Sequence, residues 1–192
     1  MSGVKTIFTY DTDMTLMHAA ALVNTGPALG SDEREELPDL AALLTWMEGW
    51  QWTGRRPSTE AEADAVRRLR PRIRRIWGLA EEPLVQATNT LLADGRALPQ
   101  LVRHGDFGWH IHARSDDAPL AERIAVEVGM ALVDVIRAEE TERLKVCAGE
   151  DCEDLLIDLS KNRSRKFCDG TCGTRANVAA YRARKSHRSR DA

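Results

Sequence analysis

All four cysteines of this 192-residue chain lie in one C-terminal stretch. They read Cys147-Ala-Gly-Glu-Asp-Cys152 and, fifteen residues on, Cys168-Asp-Gly-Thr-Cys172; residues 1–146 contain none. Each pair is a short knuckle with a glycine inside it, Gly149 or Gly170. Glycine permits the positive φ that turns two thiolates toward a common centre. Four thiolates from two knuckles make a closed tetrahedral site, suited to structural zinc and lacking an open position for a substrate or an activated water. Disulfides would need an oxidising compartment, and no apolar leader follows Met1 to direct the chain to one. The segment between the knuckles is too small to bury a core, so such a lobe needs a metal to fold. The expected cofactor is one structural Zn2+ on Cys147, Cys152, Cys168 and Cys172.

The charge around these cysteines is lopsided. From Lys161 to the end, ten Lys or Arg stand against Asp169 and Asp191, a balance of +8, while the whole chain carries −3 and residues 1–160 therefore −11. A stabilised lobe with a cationic surface is the electrostatic footprint of a polyanion binder. The candidate contacts are Arg163, Arg165, Lys166, Arg175, Arg182, Arg184 and Lys185. The last four fall on a predicted helix over 174–186, with Ala176, Ala179, Ala180 and Ala183 on the side expected to lie against the knuckles. Arginine forks suit phosphate and guanine edges, and Tyr181 could stack on a base or pack against the knuckles.

This region resembles the CGNR zinc-finger family of stress-induced bacterial transcription regulators. The resemblance is carried by Arg143-Leu-Lys-Val-Cys147, Cys152, Asn162-Arg-Ser-Arg165, Phe167-Cys168, Cys172-Gly173, Arg175 and Tyr181-Arg-Ala-Arg184. Ala21-Leu-Val-Asn-Thr25 resembles the helix motif that opens the family's N-terminal domain. The resemblance implies a DNA-binding finger, a sensing N-terminal domain and a ligand-facing role for Asn24, which otherwise reads as a helix C-terminus. One departure is Thr174 where the family has Asn; a hydroxyl cannot copy an amide's paired donor and acceptor.

The remainder reads as α+β, mostly helical. A regulatory domain over 1–142 carries a small antiparallel β-hairpin, and a treble-clef-like or knuckle-type four-cysteine zinc lobe with a basic helix follows over 143–192. Residues 4–10 are β-prone, and a helix is predicted over 14–24, with His18 on its apolar side as a core residue or, less simply, a ligand. Ser31 to Glu36 is an acidic loop. A helix is predicted over 38–50, and Trp46, Trp50 and Trp52 cluster near its end, where they read as core packing or as an aromatic binding wall.

Thr59-x-x-Glu62 is a capping-box pattern opening a long helix, which Pro71 should kink or divide. Its six arginines between 67 and 75 read as a solvated face paired with Glu60, Glu62 and Asp64 rather than a second nucleic-acid surface. Leu69, Ile73, Ile76 and Trp77 supply its buried stripe. A helix from Glu81 stops at Asp94-Gly95. Strands follow at 97–103 and 107–114 around His104-Gly105-Asp106. Alternation places Phe107, Trp109, Ile111 and Ala113 on the buried face and His110 and His112 on the other, as exposed residues or as ligand contacts. The last helix of the front domain spans 119–142 and runs with little or no break into the lobe.

No nucleophile elbow, P-loop, dinucleotide fingerprint or HExxH occurs, so the expectation is a regulator and not an enzyme. No apolar run is long enough to cross a membrane, and a cytoplasmic protein is expected. The expected partners are DNA, a small-molecule or protein signal, and a second copy as a homodimer. A small-molecule binder, or a zinc-dependent protein-interaction module without DNA binding, is the alternative.

Overall fold

The computed structural model describes residues 7–27, 35–50, 52–103 and 108–188, without the side chains of 183 and 185–188. The expectations for residues 4–6, Ser31 to Arg34, His104 to Phe107, the Lys185 side chain and the tail after Arg188 lie outside them. In chain order the elements are α1 (Tyr10–Asn24), α2 (Leu40–Glu48), α3 (Glu60–Ile76), α4 (Glu81–Asp94), β1 (Gln100–Arg103), β2 (Trp109–His112), α5 (Leu120–Arg137), β3 (Leu144–Val146), β4 (Leu155–Ile157) and α6 (Gly170–Arg188).

α5 is the central helix, packing against α1, α3 and α4. Its stripe of Leu120, Ile124, Val128, Leu132 and Val135 is buried, as its spacing predicts. α4 lies unusually close to it. A Cβ on Gly95 would stand 2.2 Å from Val126 Cγ2, and one on Gly129 2.8 Å from Leu92 Cδ2. Thr12 on α1 donates to Asp134 Oδ2 on α5 at 2.6 Å, joining those two helices near one end.

Helix starts follow the capping chemistry. Asp39 accepts from Ala42 N–H at 2.8 Å, and Thr59 Oγ1 accepts from Glu62 N–H at 3.3 Å. The capping box is shifted by one residue, because the Glu62 carboxylate takes the N–H of Ser58, at 2.9 Å, instead of that of Thr59. α1 begins earlier than expected, and no strand forms over residues 7–10. Asp11 and Asp13 sit in its first turn, where the helix dipole favours them, and Asp13 N–H already bonds Thr9 C=O. Pro71 does not divide α3, since Val66, Leu69, Ile73 and Ile76 are buried on both sides of it and hold the helix through the missing hydrogen bond.

Three further expectations are corrected. Of the arginines of α3, Arg67 pairs with Asp64 as expected and Arg68 and Arg75 are exposed, but Glu60 and Glu62 take none of them: buried Arg70 pairs with Glu35, Arg72 with Asp94, and Arg74 donates to the Glu153 carbonyl. α5 does not run into the lobe. Glu139 takes φ 56°, and the N–H groups of Glu139 and Glu140 close back on Ile136 and Val135, a Schellman-type stop before a single 3-10 turn at Thr141–Arg143. The β1–β2 hairpin forms in the register Leu101↔Ile111, Val102↔His110, but faces the other way. Trp109 is 69% exposed and Ile111 44%, beside Leu98 and Leu101, while His110 and His112 are half-buried. Only Ala113 of the expected inward set is buried among the described residues.

Candidate metal centre and the finger that carries it

β3 and β4 pair antiparallel, with Leu144 opposite Ile157 and Val146 opposite Leu155. The turn between them is the first knuckle. Cys147 N–H donates to Asp154 C=O at 2.8 Å, and Cys152 N–H to Gly149 C=O at 3.3 Å. Neither knuckle glycine has positive φ; the left-handed residue is Asp151, at 58°. Gly149 is required for room instead, because a Cβ there would lie 3.2 Å from Cys172 Sγ and 3.3 Å from Cys152 Cβ. The second pair sits at the start of α6, which begins at Gly170 rather than after Gly173. Asp169 caps that helix, accepting from Cys172 N–H at 2.9 Å, so Cys172 faces the positive end of the dipole.

The four Sγ atoms lie within 4.8 Å of one another, and all four cysteines are free thiols. Cys152–Cys168 and Cys168–Cys172 are each 3.7 Å apart. A disulfide needs about 2.05 Å. A tetrahedron with Zn–S of about 2.3 Å has edges of roughly 3.8 Å. The spacing is therefore that of thiolates around one zinc ion, and these residues hold a single structural zinc. Burial raises the Cys147 thiol, but the N–H groups of Cys168 and Gly149 pointing at its sulfur outweigh this and bring it below the usual thiol value. Burial pushes Cys152 up to about 11 and raises Cys168 as well, so crowded sulfurs without a cation favour the protonated form. Among the described residues no other group of three or more potential ligands comes together.

Two polar hubs, not anticipated as site residues, fix this lobe. Asp158 is fully buried; it accepts from Lys145 Nζ at 2.6 Å, from Arg165 N–H at 2.9 Å and from both N–H and Oγ–H of Ser160. Burial opposes its charge, but the Lys145 and Ser160 bonds prevail and hold it at about 2. Its sequence signal is an Asp two residues before a Ser at a strand end, the pattern of an Asx turn. Arg143 is 2% exposed and donates to the carbonyls of Asp158 and Ser160 and to Glu140.

The expected phosphate contacts separate into two groups. Arg163 pairs with Glu140 and Glu142, and Arg165 donates to the carbonyls of Phe167, at 3.2 Å, and Cys168, at 2.6 Å. Arg175 donates to Cys172 Sγ at 3.5 Å while remaining exposed. Lys166, Arg182 and Arg184 are exposed and make no ion pair among the described residues. Lys185 falls on α6. The alanine side of α6 does not lie on the knuckles. Ala176 is half-buried, but Ala179 and Ala180 are exposed, as is every residue from Asn177 to Arg184 whose side chain is described.

Asn24 faces the lobe and not a pocket. Its Nδ2 donates to Leu155 C=O at 2.9 Å and its Oδ1 accepts Leu155 N–H at 2.8 Å, so the amide pairs with β4 as another strand would. Trp77 Nε1 reaches the carbonyls of Lys145 and Leu156, each at 3.2 Å. Leu144, Leu155 and Ile157 complete the core of the helical unit, whereas Leu156 and Phe167 pack with the cysteines. His110 and His112 bring their Nε2 atoms to 3.2 Å, with Asp116 Oδ1 3.5 Å from His112 Nδ1.

Fold and site together define a helical unit docked to one zinc finger, whose knuckle sits in a hairpin and whose second cysteine pair opens a basic helix. The CGNR zinc finger model matches residues 143–185. The ABATE model, described as "Putative stress-induced transcription regulator", matches residues 18–139, more than half of the chain. The chain belongs to this ABATE family and ends in a CGNR finger. No curated protein matches it.

Proposed function

We propose that this protein is a non-catalytic transcription regulator of the cytoplasm. It binds duplex DNA through α6 and the adjoining finger, and its helical unit senses a signal. The observation that carries the reading is the exposure of α6. From Asn177 to Arg184 no described side chain is buried, although the run contains Val178 and Tyr181. A helix polar and exposed all round gains little from its own fold and is suited to another surface. At 1.5 Å per residue, residues 177–188 extend about 18 Å, and a major groove about 12 Å wide admits a helix. Arg175 and Arg182, seven residues apart, share one side of it.

The zinc would hold the start of this helix rigidly, and the thiolates would carry no chemistry. The front unit is suited to sensing because its α1 carries, at one end, the Asn24 contact to β4. The test is the salt dependence of full-chain binding to random-sequence duplex DNA. Removing one phosphate contact should reduce the log–log slope by about 0.9, so Arg182→Ala and Arg184→Ala should each flatten it by about that amount. Binding unaltered in slope and affinity in both variants would point to a zinc-dependent protein-interaction module instead.

A further inference from the structure

We propose that Cys168 and Cys152 form an oxidation site within the metal centre: a hydroperoxide oxidises the Cys168 thiolate, Cys152 closes a disulfide on it, and the zinc is released. The four sulfurs are not equivalent. Cys147 is 6% exposed and Cys172 4%, whereas Cys152 and Cys168 are half-buried, so an oxidant in solution reaches the latter pair first.

The contacts on sulfur separate them further. Cys147 Sγ accepts the N–H groups of Cys168, at 3.3 Å, and Gly149, at 3.4 Å. Cys172 Sγ accepts from the Arg175 guanidinium at 3.5 Å, and Cys152 takes the N–H of Asp154. Cys168 Sγ takes no N–H donor among the described residues; its contacts are sulfurs and the Asp154 carboxylate. Donors draw charge from a thiolate and lower its nucleophilicity, while a carboxylate beside it does the reverse. A zinc ligand must be a thiolate, so in the loaded site exposure and hydrogen bonding rank the sulfurs. Cys168 is the one that is both accessible and electron-rich.

The Cys168 thiolate attacks a peroxide oxygen. The S–O bond forms as the O–O bond breaks, sulfur loses two electrons to the peroxide, and the departing alkoxide or hydroxide takes a proton from water. The Cys152 thiolate, 3.7 Å away, then attacks the Cys168 sulfur; the S–S bond forms at about 2.05 Å, and hydroxide leaves and is protonated. Cys172 is as near to Cys168, at 3.7 Å, but it is buried and its sulfur carries the Arg175 bond. With two ligands gone the site cannot hold its ion. The new bond joins the knuckles but leaves Cys172, the cysteine inside α6, untied. The consequence rests on the regulator reading: oxidation is then a signal that releases α6 and lowers affinity for DNA, and thiol reductant with zinc reverses it.

The experiment treats the zinc-loaded full chain, freed of reductant, with hydrogen peroxide. A chromogenic chelator reads zinc release, dimedone traps sulfenic acid at limiting peroxide, and peptide mass spectrometry after alkylation locates adducts and disulfides. Expected are a first dimedone adduct on Cys168 and, without dimedone, one zinc released per Cys152–Cys168 disulfide, with Cys147 and Cys172 still open to alkylation. Zinc retained with four free thiols in excess peroxide would overturn the proposal, as would a first adduct on Cys147 or Cys172, or disulfides spread evenly over the four cysteines. No DNA is present, so failure here leaves the regulator reading untouched. The oxidised chain's affinity for random-sequence duplex DNA tests the consequence by itself: it should fall to that of the zinc-stripped chain, and an unchanged affinity would overturn the signalling role.

Discussion

Replacing Asn24 with alanine would leave both backbone groups of Leu155, a residue 3% exposed, without their partner. An unsatisfied buried group costs about 1–3 kcal/mol, and each kcal/mol lowers Tm by about 2–4 °C in a protein of this size. Thermal unfolding of Asn24→Ala should therefore show a fall of several degrees with the zinc retained. Glu127 makes a pH prediction. Burial raises its carboxyl to about 7 against 4.5 in the unfolded chain. Between those values the folded state holds a proton that the unfolded state releases, so this group's contribution to stability declines as pH rises from 4.5 to 7. His18, lowered by burial to about 4, acts oppositely: between 6.5 and 4, acid favours the unfolded chain. Glu127→Gln removes the first effect alone. Its Tm advantage over the parent should widen from pH 5 to 7 and level off above, whereas parallel Tm curves would contradict the assignment.

Among the elements, α3 holds the clearest cost. Pro71 sits inside it without a donor for the preceding turn, and an interior proline costs on the order of 3 kcal/mol. Pro71→Ala should raise Tm by several degrees, and an unchanged or lower Tm would show that the helix is already relaxed around the ring. The helices are legible in the sequence because caps and periods are local: Asp39 and Thr59 stand at their starts, and the apolar positions of α5 recur at helical spacing. The β1–β2 segment is legible only as a hairpin. Alternation shows that its two faces differ, but not which one the rest of the molecule covers, and so Trp109 and Ile111 are outside. The knuckles show the same limit. Four thiols at short spacing reveal the metal, but Gly149 serves a contact with Cys172, twenty-three residues on, that no local pattern carries. Arg163 reads as a free cation until the fold brings Glu140 and Glu142 to it.

At the scale of the molecule, the family models divide the chain between residues 139 and 143, but the core does not divide there. Leu144, Leu155 and Ile157 belong to the core of the helical unit, and burying each contributes roughly 1.5–3 kcal/mol. Residues 143–192 expressed alone should bind zinc yet lack a cooperative unfolding transition, by circular dichroism or calorimetry. A sharp transition in that fragment would show that the finger needs no helical unit. The shared core, with the Asn24 and Trp77 bonds, makes the finger an outgrowth of the helical unit and not a bead on a linker.

The central claim is that zinc holds α6 in the posture in which it meets DNA. The most direct measurement is the affinity of the full chain for random-sequence duplex DNA, in thiol reductant, before chelation, after it, and after zinc is restored. The account predicts a loss of roughly a hundredfold or more on stripping and full recovery on reloading, since a structural zinc contributes folding free energy outright. Equal affinity with and without the metal would contradict it.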